Sequence, residues 1–274
     1  MTMRGGLAVF AIAFLLVTVP VCSGATSVPF SKLSPKFGSS TYTWGCGKVH
    51  QSRSPHFSNR TGVFLASGSA TTPSCPAFLS NDSAVWNGEV NFTKLLSFKH
   101  HARHLITFAW NVSESASWSI HPFSSCTLNY SATESICLTN AFAILAMNAG
   151  LYDVTTGGPV LASKYFYNLN YSEVRNWSQY TCISGTCTVY SGNTSVGGLT
   201  GSFNRSFDVN LTIHATGRWA RTSDQYRLTC FLLVAAQADA YAVNATPVGA
   251  GSATALVNLG QGGFEAKLIS VSIT

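Results

Sequence analysis

Charged residues are scarce in this chain. Asp, Glu, Lys and Arg make up 9% of its 274 residues, whereas about 25% is typical of soluble domains. The 16 Lys and Arg outnumber the ten acidic residues and give a formal charge of +6. No block of Lys or Arg is dense enough to follow a phosphate backbone, which argues against nucleic acid and anionic membranes as partners. Solubility must then rest on hydroxyls, amides and, we expect, glycans.

The familiar catalytic signatures are also missing. The chain has no Gly-x-Ser-x-Gly elbow, no His-Glu-x-x-His and no Cys-x-x-Cys. No loop concentrates the acidic ligands that Ca²⁺ needs. Ser191–Ser202 is rich in glycine, but no Gly-Lys-Ser/Thr follows it, so we interpret it as an exposed connector. We therefore expect no cofactor.

Long apolar runs are absent after the first 25 residues, so no later stretch reaches the roughly 18 residues of a membrane-spanning helix. Met1–Ala25 has the organisation of a secretory signal: Arg4 precedes the apolar run Leu7–Val21, and Ser23-Gly24-Ala25 supplies small residues for cleavage. We expect the mature chain to begin at Thr26, with an uncleaved anchor as the alternative. The expected location is extracellular, either secreted or held at the cell surface.

Asn-x-Ser/Thr acceptor sequences recur along the chain. A single match is a weak signal, but the placement of these matches adds weight. Asn210 falls on the polar face of a predicted strand, Asn111 closes the apolar run Leu105–Trp110, and Asn176 and Asn193 lie in predicted polar connectors. Each could carry a sugar without burying it. The predicted glycosylation sites are Asn59, Asn81, Asn91, Asn111, Asn129, Asn170, Asn176, Asn193, Asn204, Asn210 and Asn244.

Eight cysteines become seven once Cys22 leaves with the signal. In an exported chain their close spacing favours local disulfides. Cys182 and Cys187 flank a Ser184-Gly185 turn, which can bring two Cβ atoms within bonding reach. Cys230 lies on an apolar face, where we expect a buried, unreactive thiol. The predicted pairs are Cys182–Cys187, Cys126–Cys137 and Cys46–Cys75.

The clearest periodicity lies in Phe203–Asn244. Apolar and polar residues alternate through Phe207–Ala215, which is the two-residue period of a strand with one wet face. Tyr226–Ala240 repeats this alternation, but its second face also turns apolar at Phe231 and Leu233. The pattern predicts two long antiparallel strands of a sandwich, the second covered on both sides over its middle.

Five of the nine prolines fall between Thr26 and Ser80. They exclude long helices and predict only short strands, such as Thr41–Trp44 and Gly62–Ala66. We expect residues 26–80 to form an irregular segment, rich in Pro, Ser and Gly and clipped by disulfides.

Thr139–Val154 permits two structures. Its Ala, Leu and Met favour a helix that Thr139 or Asn140 would cap and Gly150 would end. Asp153 and the Gly157-Gly158 pair favour a tight turn between two strands instead. We favour the β-hairpin because it is consistent with the neighbouring strands.

These features predict an all-β fold, a two-sheet antiparallel sandwich with a jelly-roll-like or immunoglobulin-like layout. The predicted organisation is a signal peptide at 1–25, the irregular segment at 26–80 and the sandwich domain at 81–274.

Two clusters are weak candidates for chemistry. His100 and His104 could share a face and bind one metal, but Arg103 opposes a cation and no acidic partner lies nearby, so we predict a solvated strand entry. Asp208 and Asp239 are the carboxylates we would test as a glycosidase pair, since both lie on wet strand faces and could meet across a sheet.

Aromatic residues suggest a different kind of site. Exposed Trp and Tyr rings hold sugars with little loss of entropy. Trp177 is the hardest to explain as core, because Asn176 beside it is an acceptor and the segment is polar. Glycosylation there would shape or block a ligand site. The candidate ligand-binding residues are Trp177, Tyr180, Tyr165, Tyr167 and Trp219.

The sequence therefore predicts a non-enzymatic, N-glycosylated protein that acts by interaction with carbohydrate or with another surface protein. The alternatives are a secreted hydrolase acting on glycans and a structural coat component.

Overall fold

The computed structural model describes residues 26–72, 81–98, 104–123, 125–155, 160–183, 186–215, 225–248, 254–258 and 264–274. Nearly all of them lie in β-strands, and the only helix in these ranges is a 3-10 turn at Phe30–Lys32. The strands are β1 (Thr26–Ser27), β2 (Ser34–Trp44), β3 (Lys48–Ser58), β4 (Val63–Thr72), β5 (Asn81–Leu96), β6 (His104–His121), β7 (Ser125–Leu128), β8 (Glu134–Asp153), β9 (Val160–Ile183), β10 (Thr186–Val196), β11 (Thr200–Ala215), β12 (Tyr226–Val243), β13 (Ala245–Val248), β14 (Thr254–Asn258) and β15 (Phe264–Ile273).

Two antiparallel sheets pack against each other, which confirms the predicted sandwich. The six-stranded sheet has the order β2-β5-β12-β8-β9-β10. In the seven-stranded sheet, β14 and β15 share one strand position between β4 and β6, end to end. β14 pairs with Ser69–Thr72 of β4, and β15 pairs with Val63–Ala66. β3 and β11 lie on the outer sides of β4 and β6, and β1 pairs with the end of β15. A small third sheet joins β7 to β13.

The strand order is that of a jelly roll. Eight strands in chain order form it, namely β4, β5, β6, β8, β9, β11, β12 and the β14–β15 line, and each lies in the other sheet from the one before it, except β9, which pairs with β8 in the same sheet. One sheet holds the first, eighth, third and sixth of them, and the other holds the second, seventh, fourth and fifth. The pairing thus decides between the two layouts that the sequence permits.

Large side chains from both sheets fill the interior. Trp86 of the six-stranded sheet and Trp110 of the seven-stranded sheet are both fully buried. Phe92 contacts Trp110 with ring centroids 5.8 Å apart and Phe57 at 4.6 Å. Burial of this apolar surface is the main stabilising term of the fold.

The two strands with the clearest period, β11 and β12, lie in different sheets. β11 pairs with β6, whereas β12 lies between β5 and β8. Phe231 and Leu233 lie on the outer face of β12 and are half-buried. The apolar second face of this strand therefore reflects partial cover by neighbouring side chains and not a second layer of secondary structure.

Strands also form where the sequence predicts an irregular segment, in β2, β3 and β4. The prolines fit this arrangement because they occupy edge positions. Pro35 lies on β2 and Pro55 on β3, both outer strands, and the β3 pairing shifts register between Arg53 and His56. Pro73 and Pro76 lie outside the described residues.

The hairpin expected around Thr139–Val154 is confirmed, since β8 and β9 pair antiparallel from Glu134 to Tyr152. The Gly157-Gly158 turn itself lies outside the described residues. β8 forms a strand despite its helix-favouring composition because β12 and β9 satisfy its backbone on both sides.

Two predicted disulfides are confirmed, Cys126–Cys137 and Cys182–Cys187. Cys46 is disulfide-bonded, and its predicted partner Cys75 lies outside the described residues. Cys230 is a buried free thiol, as expected.

Candidate functional site

β9 places Tyr165, Tyr167 and Trp177 on the outer face of the six-stranded sheet, since residues an even number apart share a strand face. They do not form one site. At roughly 3.3 Å per residue, Tyr167 and Trp177 lie roughly 33 Å apart. Tyr180 has the opposite parity and projects from the other face, and Trp219 lies outside the described residues. The predicted aromatic residues therefore do not form one cluster, and Trp177 is a separate candidate site.

Trp177 borders a cleft of about 370 Å³ formed by three adjacent strands. β8, β9 and β10 contribute to it because Trp177 pairs with Ile136 on one side and Gly192 on the other. The volume lies at the lower end of the range for small-ligand sites. The cleft is lined by Glu134, Arg175, Trp177, Ser178, Gln179 and Thr194.

The ring of Trp177 is held in place from two directions. The guanidinium of Arg175 lies over the indole, 5.7 Å from the ring centroid. On β10, Gly192 has no side chain to displace the ring, and a Cβ there would come to 3.3 Å from the indole Nε1. Trp177 stays half-buried, so part of its ring is open to the cleft.

A polar atom without a protein hydrogen-bond partner lies at the same cleft. Arg175 Nε is buried and makes no hydrogen bond within the described residues. Ser178 Oγ is also without a partner there, but Ser178 has the opposite parity to Trp177, so its side chain projects from the other face of the sheet. The Arg175 guanidinium is 3.8 Å from Glu134 Oε1, a loose ion pair between partly exposed groups. A buried donor without a partner is costly, and a ligand hydroxyl or carboxylate in the cleft could accept a hydrogen bond from Arg175 Nε.

The acceptor residues beside the cleft point away from it. Asn176 and Asn193 pair with each other across β9 and β10, and each has the opposite parity to Trp177 and Gly192. A sugar on either would leave from the face of the sheet opposite to the cleft. Strand parity therefore argues against the expectation that a sugar on Asn176 shapes or blocks a ligand site at Trp177.

None of the acceptor side chains that the structure describes is buried. Asn170 and Asn176 are half-buried. The side chain of Asn81 is not among those described. The exposed acceptors are Asn59, Asn91, Asn111, Asn129, Asn193, Asn204, Asn210 and Asn244.

The expected carboxylate pair does not form. Asp208 lies on the outer face of the seven-stranded sheet, where it accepts a hydrogen bond from Asn111 at 2.9 Å. Asp239 lies on the outer face of the other sheet and accepts from Ser83 and Gln237 at 2.5 and 2.7 Å. The whole sandwich separates the two carboxylates, because their strands belong to different sheets.

Two other carboxyl groups have a raised pKa, and neither lines the Trp177 cleft. Burial raises the pKa of Asp82, partly offset by a hydrogen bond from the Cys46 amide. Burial also raises the pKa of Glu114, against the lowering effects of Arg205 and Asn168. Glu114 Oε1 accepts from Arg205 Nε at 2.6 Å and from Asn168 at 2.8 Å, which ties β6 to β11 and to β9 in the opposite sheet.

The histidine candidate is not assembled within the described residues. His104 stacks on Phe98 with centroids 4.4 Å apart, and His100 lies outside the described ranges. No three His, Cys, Asp or Glu side chains of the described ranges come together as a metal site would require. Nor do those ranges contain a helix long and apolar enough to cross a bilayer.

Sequence reasoning missed Arg175, Glu134 and Thr194, which share the cleft with Trp177. Arg175 was detectable in principle, since it lies two residues before Trp177 on the same strand face. Glu134 and Thr194 come from neighbouring strands and depend on the register of β8 and β10.

No protein-family model and no curated protein matches the chain. Among solved structures it aligns with infectious bursal disease virus VP2 in a subviral particle at 10% identity and a TM-score of 0.12, over 90% of this chain and 84% of that one. T=1 particles derived from infectious bursal virus align at 9% identity and a TM-score of 0.12, over 90% and 81%. Scores this low carry no argument, so the fold assignment rests on strand pairing alone.

Proposed function

We propose that this chain is an exported, N-glycosylated, non-enzymatic protein that binds carbohydrate through the Trp177 cleft. The observation that carries the proposal is a partly open indole beside a buried donor without a hydrogen-bond partner, Arg175 Nε. Sugars present an apolar ring face and a rim of hydroxyls, which matches an aromatic ring bordered by an unpaired donor and by the polar side chains of Glu134 and Gln179.

The other features support the exported location and the solvent access of the site. Two local disulfides are typical of oxidising compartments. The described acceptors are exposed or half-buried, as glycosylation requires. Because Asn176 and Asn193 project from the opposite face, sugars on them would leave the cleft open.

Binding of the purified glycoprotein to a glycan array tests the proposal. We expect at least one class of glycan to bind and Trp177→Ala to weaken it by about tenfold or more, since a stacked aromatic ring contributes on the order of 1.5 kcal/mol. Trp44→Ala is the matched control, because Trp44 is a 59% exposed tryptophan on β2, distant from the cleft.

Two results would contradict the proposal. One is failure of the wild-type protein to bind any glycan, and the other is equal binding by Trp177→Ala. Loss of binding in Trp44→Ala as well would show that the effect is not specific to the cleft.

A further inference from the structure

A second concave surface lies on the same outer face of the six-stranded sheet, near the other end of its strands. It is an open groove of about 880 Å³. Four basic residues line it, Lys32, Lys36, Lys94 and Arg227. Lys94 lies opposite the buried Leu228, so its side chain leaves β5 on the core-facing side, and Lys32, Lys36 and Arg227 are the cations of the open groove. This groove is separate from the Trp177 cleft, with which it shares no lining residue.

The strand register explains how the groove brings together cations that are distant in sequence. One row across the sheet runs from Lys36 to Asn91, Phe231 and Asn148. A row four residues along β12 places Arg227 beside Tyr152. The groove therefore spans at least three rows and four strands, at about 4.8 Å per strand. An extended ligand fits this shape better than a single small ion.

The charge of the groove is unbalanced. Four of the chain's 16 Lys and Arg line it, and among the residues that the structure describes no acidic residue does so. Glu89 lies on the same face of β5, two residues beyond Asn91, at the margin of the groove. Clefts lined by charge of one sign concentrate ligands of the opposite sign. The groove is therefore suited to an anionic partner.

Polar groups in the groove add a second requirement for its ligand. Asn148 Oδ1 is buried and has no hydrogen-bond donor within the described residues. It calls for a ligand that donates a hydrogen bond, which a sulfate ion cannot do because it carries no proton at neutral pH. Thr93 and Thr229 add hydroxyls beside it. A ligand that carries both anionic groups and hydroxyls meets the cations and the free acceptor together.

We propose that this groove binds a sulfated glycan chain. The sulfate groups would pair with Lys32, Lys36 and Arg227, and a sugar hydroxyl would donate to Asn148. Several sulfates are needed because several cations lie in one groove, and a chain with one carboxylate per repeat would leave most of them unpaired. This binding goes beyond the carbohydrate site at Trp177 and does not depend on it.

One glycosylation acceptor lies inside the groove. Asn91 lines it and is exposed, so a sugar attached there would occupy part of the space. The Asn91→Gln variant removes that sugar and keeps an amide, which makes it the reference protein for measuring access to the groove.

The test measures binding of heparin, as a sulfated probe, to the wild type and to Asn91→Gln. The groove variant replaces Lys32, Lys36 and Arg227 by Gln in the Asn91→Gln background. Its control replaces Lys48, Arg53 and Lys267 by Gln, three exposed cations of the seven-stranded sheet. Both triple variants lose three positive charges. We expect the groove variant to bind at least tenfold more weakly, the control to change less than threefold, and binding to weaken as NaCl rises.

Several outcomes would overturn the proposal. They are no heparin binding by Asn91→Gln, equal losses in both triple variants, and equally tight binding of desulfated heparin or hyaluronan. Tighter binding of an oligonucleotide or of phosphatidylserine vesicles through the same cations would assign the groove to another class of partner. Trp177→Ala separates the two sites, because it should leave heparin binding unchanged even if the glycan array fails.

Discussion

Gly192 lies directly across from Trp177 on the paired strands β10 and β9, and the indole occupies the space that a side chain at Gly192 would need. The cleft thus depends on a glycine in the neighbouring strand as well as on the tryptophan. Gly192 and Trp177 are 15 positions apart in sequence and are joined only by the register of the hairpin.

Replacing Gly192 by Val should displace the ring of Trp177. A Cβ there already comes to 3.3 Å from Nε1, and two further methyl groups would require the indole to tilt. We expect glycan binding at the cleft to weaken by about tenfold, or ~1.4 kcal/mol. Ser191→Val is the control, because Ser191 projects from the opposite face of the same exposed strand. Unchanged binding by Gly192→Val would show that the ring position does not matter for the ligand.

A second glycine governs the packing of the two sheets. A Cβ on Gly68 of β4 would overlap the indole of Trp86, which is fully buried in the opposite sheet. Because the interior cannot expand locally, Gly68→Ala should reduce the free energy of unfolding by ~3 kcal/mol. Urea denaturation measures this loss. Gly38→Ala is the matched change, since nothing lies within 4 Å of a Cβ there, and it should leave stability unchanged or slightly higher.

The buried Glu114 should make stability depend on pH in a defined direction. Burial raises the pKa of folded Glu114 above its ordinary value of 4.5, so the folded protein holds a proton that the unfolded chain has already released. That stabilisation is complete below 4.5 and is lost as the pH rises through the folded pKa. The Glu114→Gln variant has no carboxyl group at this position and would lack this dependence. Urea titrations should therefore show that the free energy of unfolding of the wild type, relative to that of Glu114→Gln, falls as the pH rises from about 4 to 7.

The opposite slope would identify a different dominant interaction. If the ion pair with Arg205, at 2.5 Å, outweighed burial, the folded pKa would be lowered and the stability difference would rise with pH. Asp82, whose pKa is also raised, is present in both proteins and cancels in the comparison.

Cys230 should react with thiol reagents only after unfolding. It is fully buried, and desolvation of the thiolate raises its pKa well above the ordinary value for cysteine. Maleimide at about pH 8 should leave the peptide containing Cys230 unlabelled in the native protein and label it in concentrated guanidinium. Non-reducing peptide mapping should also recover Cys126–Cys137 and Cys182–Cys187. Labelling of the native protein, or a bridged Cys230, would contradict the observed packing.

Much of the fold could be predicted from local patterns. The alternation in β11 and β12 identifies strands because side chains on successive strand residues face opposite sides. Cys182 and Cys187 are close enough in sequence for a hairpin to determine their pairing. The prolines before residue 80 were harder to interpret, because a proline on an edge strand and a proline in a loop have the same local sequence.

The candidate sites needed information that no local pattern contains. Trp177 was identifiable as a polar-flanked aromatic residue, but its cleft requires Glu134 on β8 and Thr194 on β10. Asp208 and Asp239 made a plausible pair because both lie on wet strand faces and could meet across a sheet, yet the jelly-roll order puts their strands in opposite sheets. The four cations that line the groove looked like scattered background charge, since they come from three distant parts of the sequence.

The sequence by itself determined that the chain is built of strands, which side chains face inward and which close cysteines can pair, since all three follow from spacing over a few residues. Only the tertiary structure decided which strands became neighbours. The strand order and register placed Gly192 opposite Trp177, directed the Asn176 acceptor away from the cleft and brought Lys32, Lys36 and Arg227 into one groove. The physical reason is that β pairing is non-local: strand register and sheet order depend on how all the apolar faces are buried together, and no single segment encodes them.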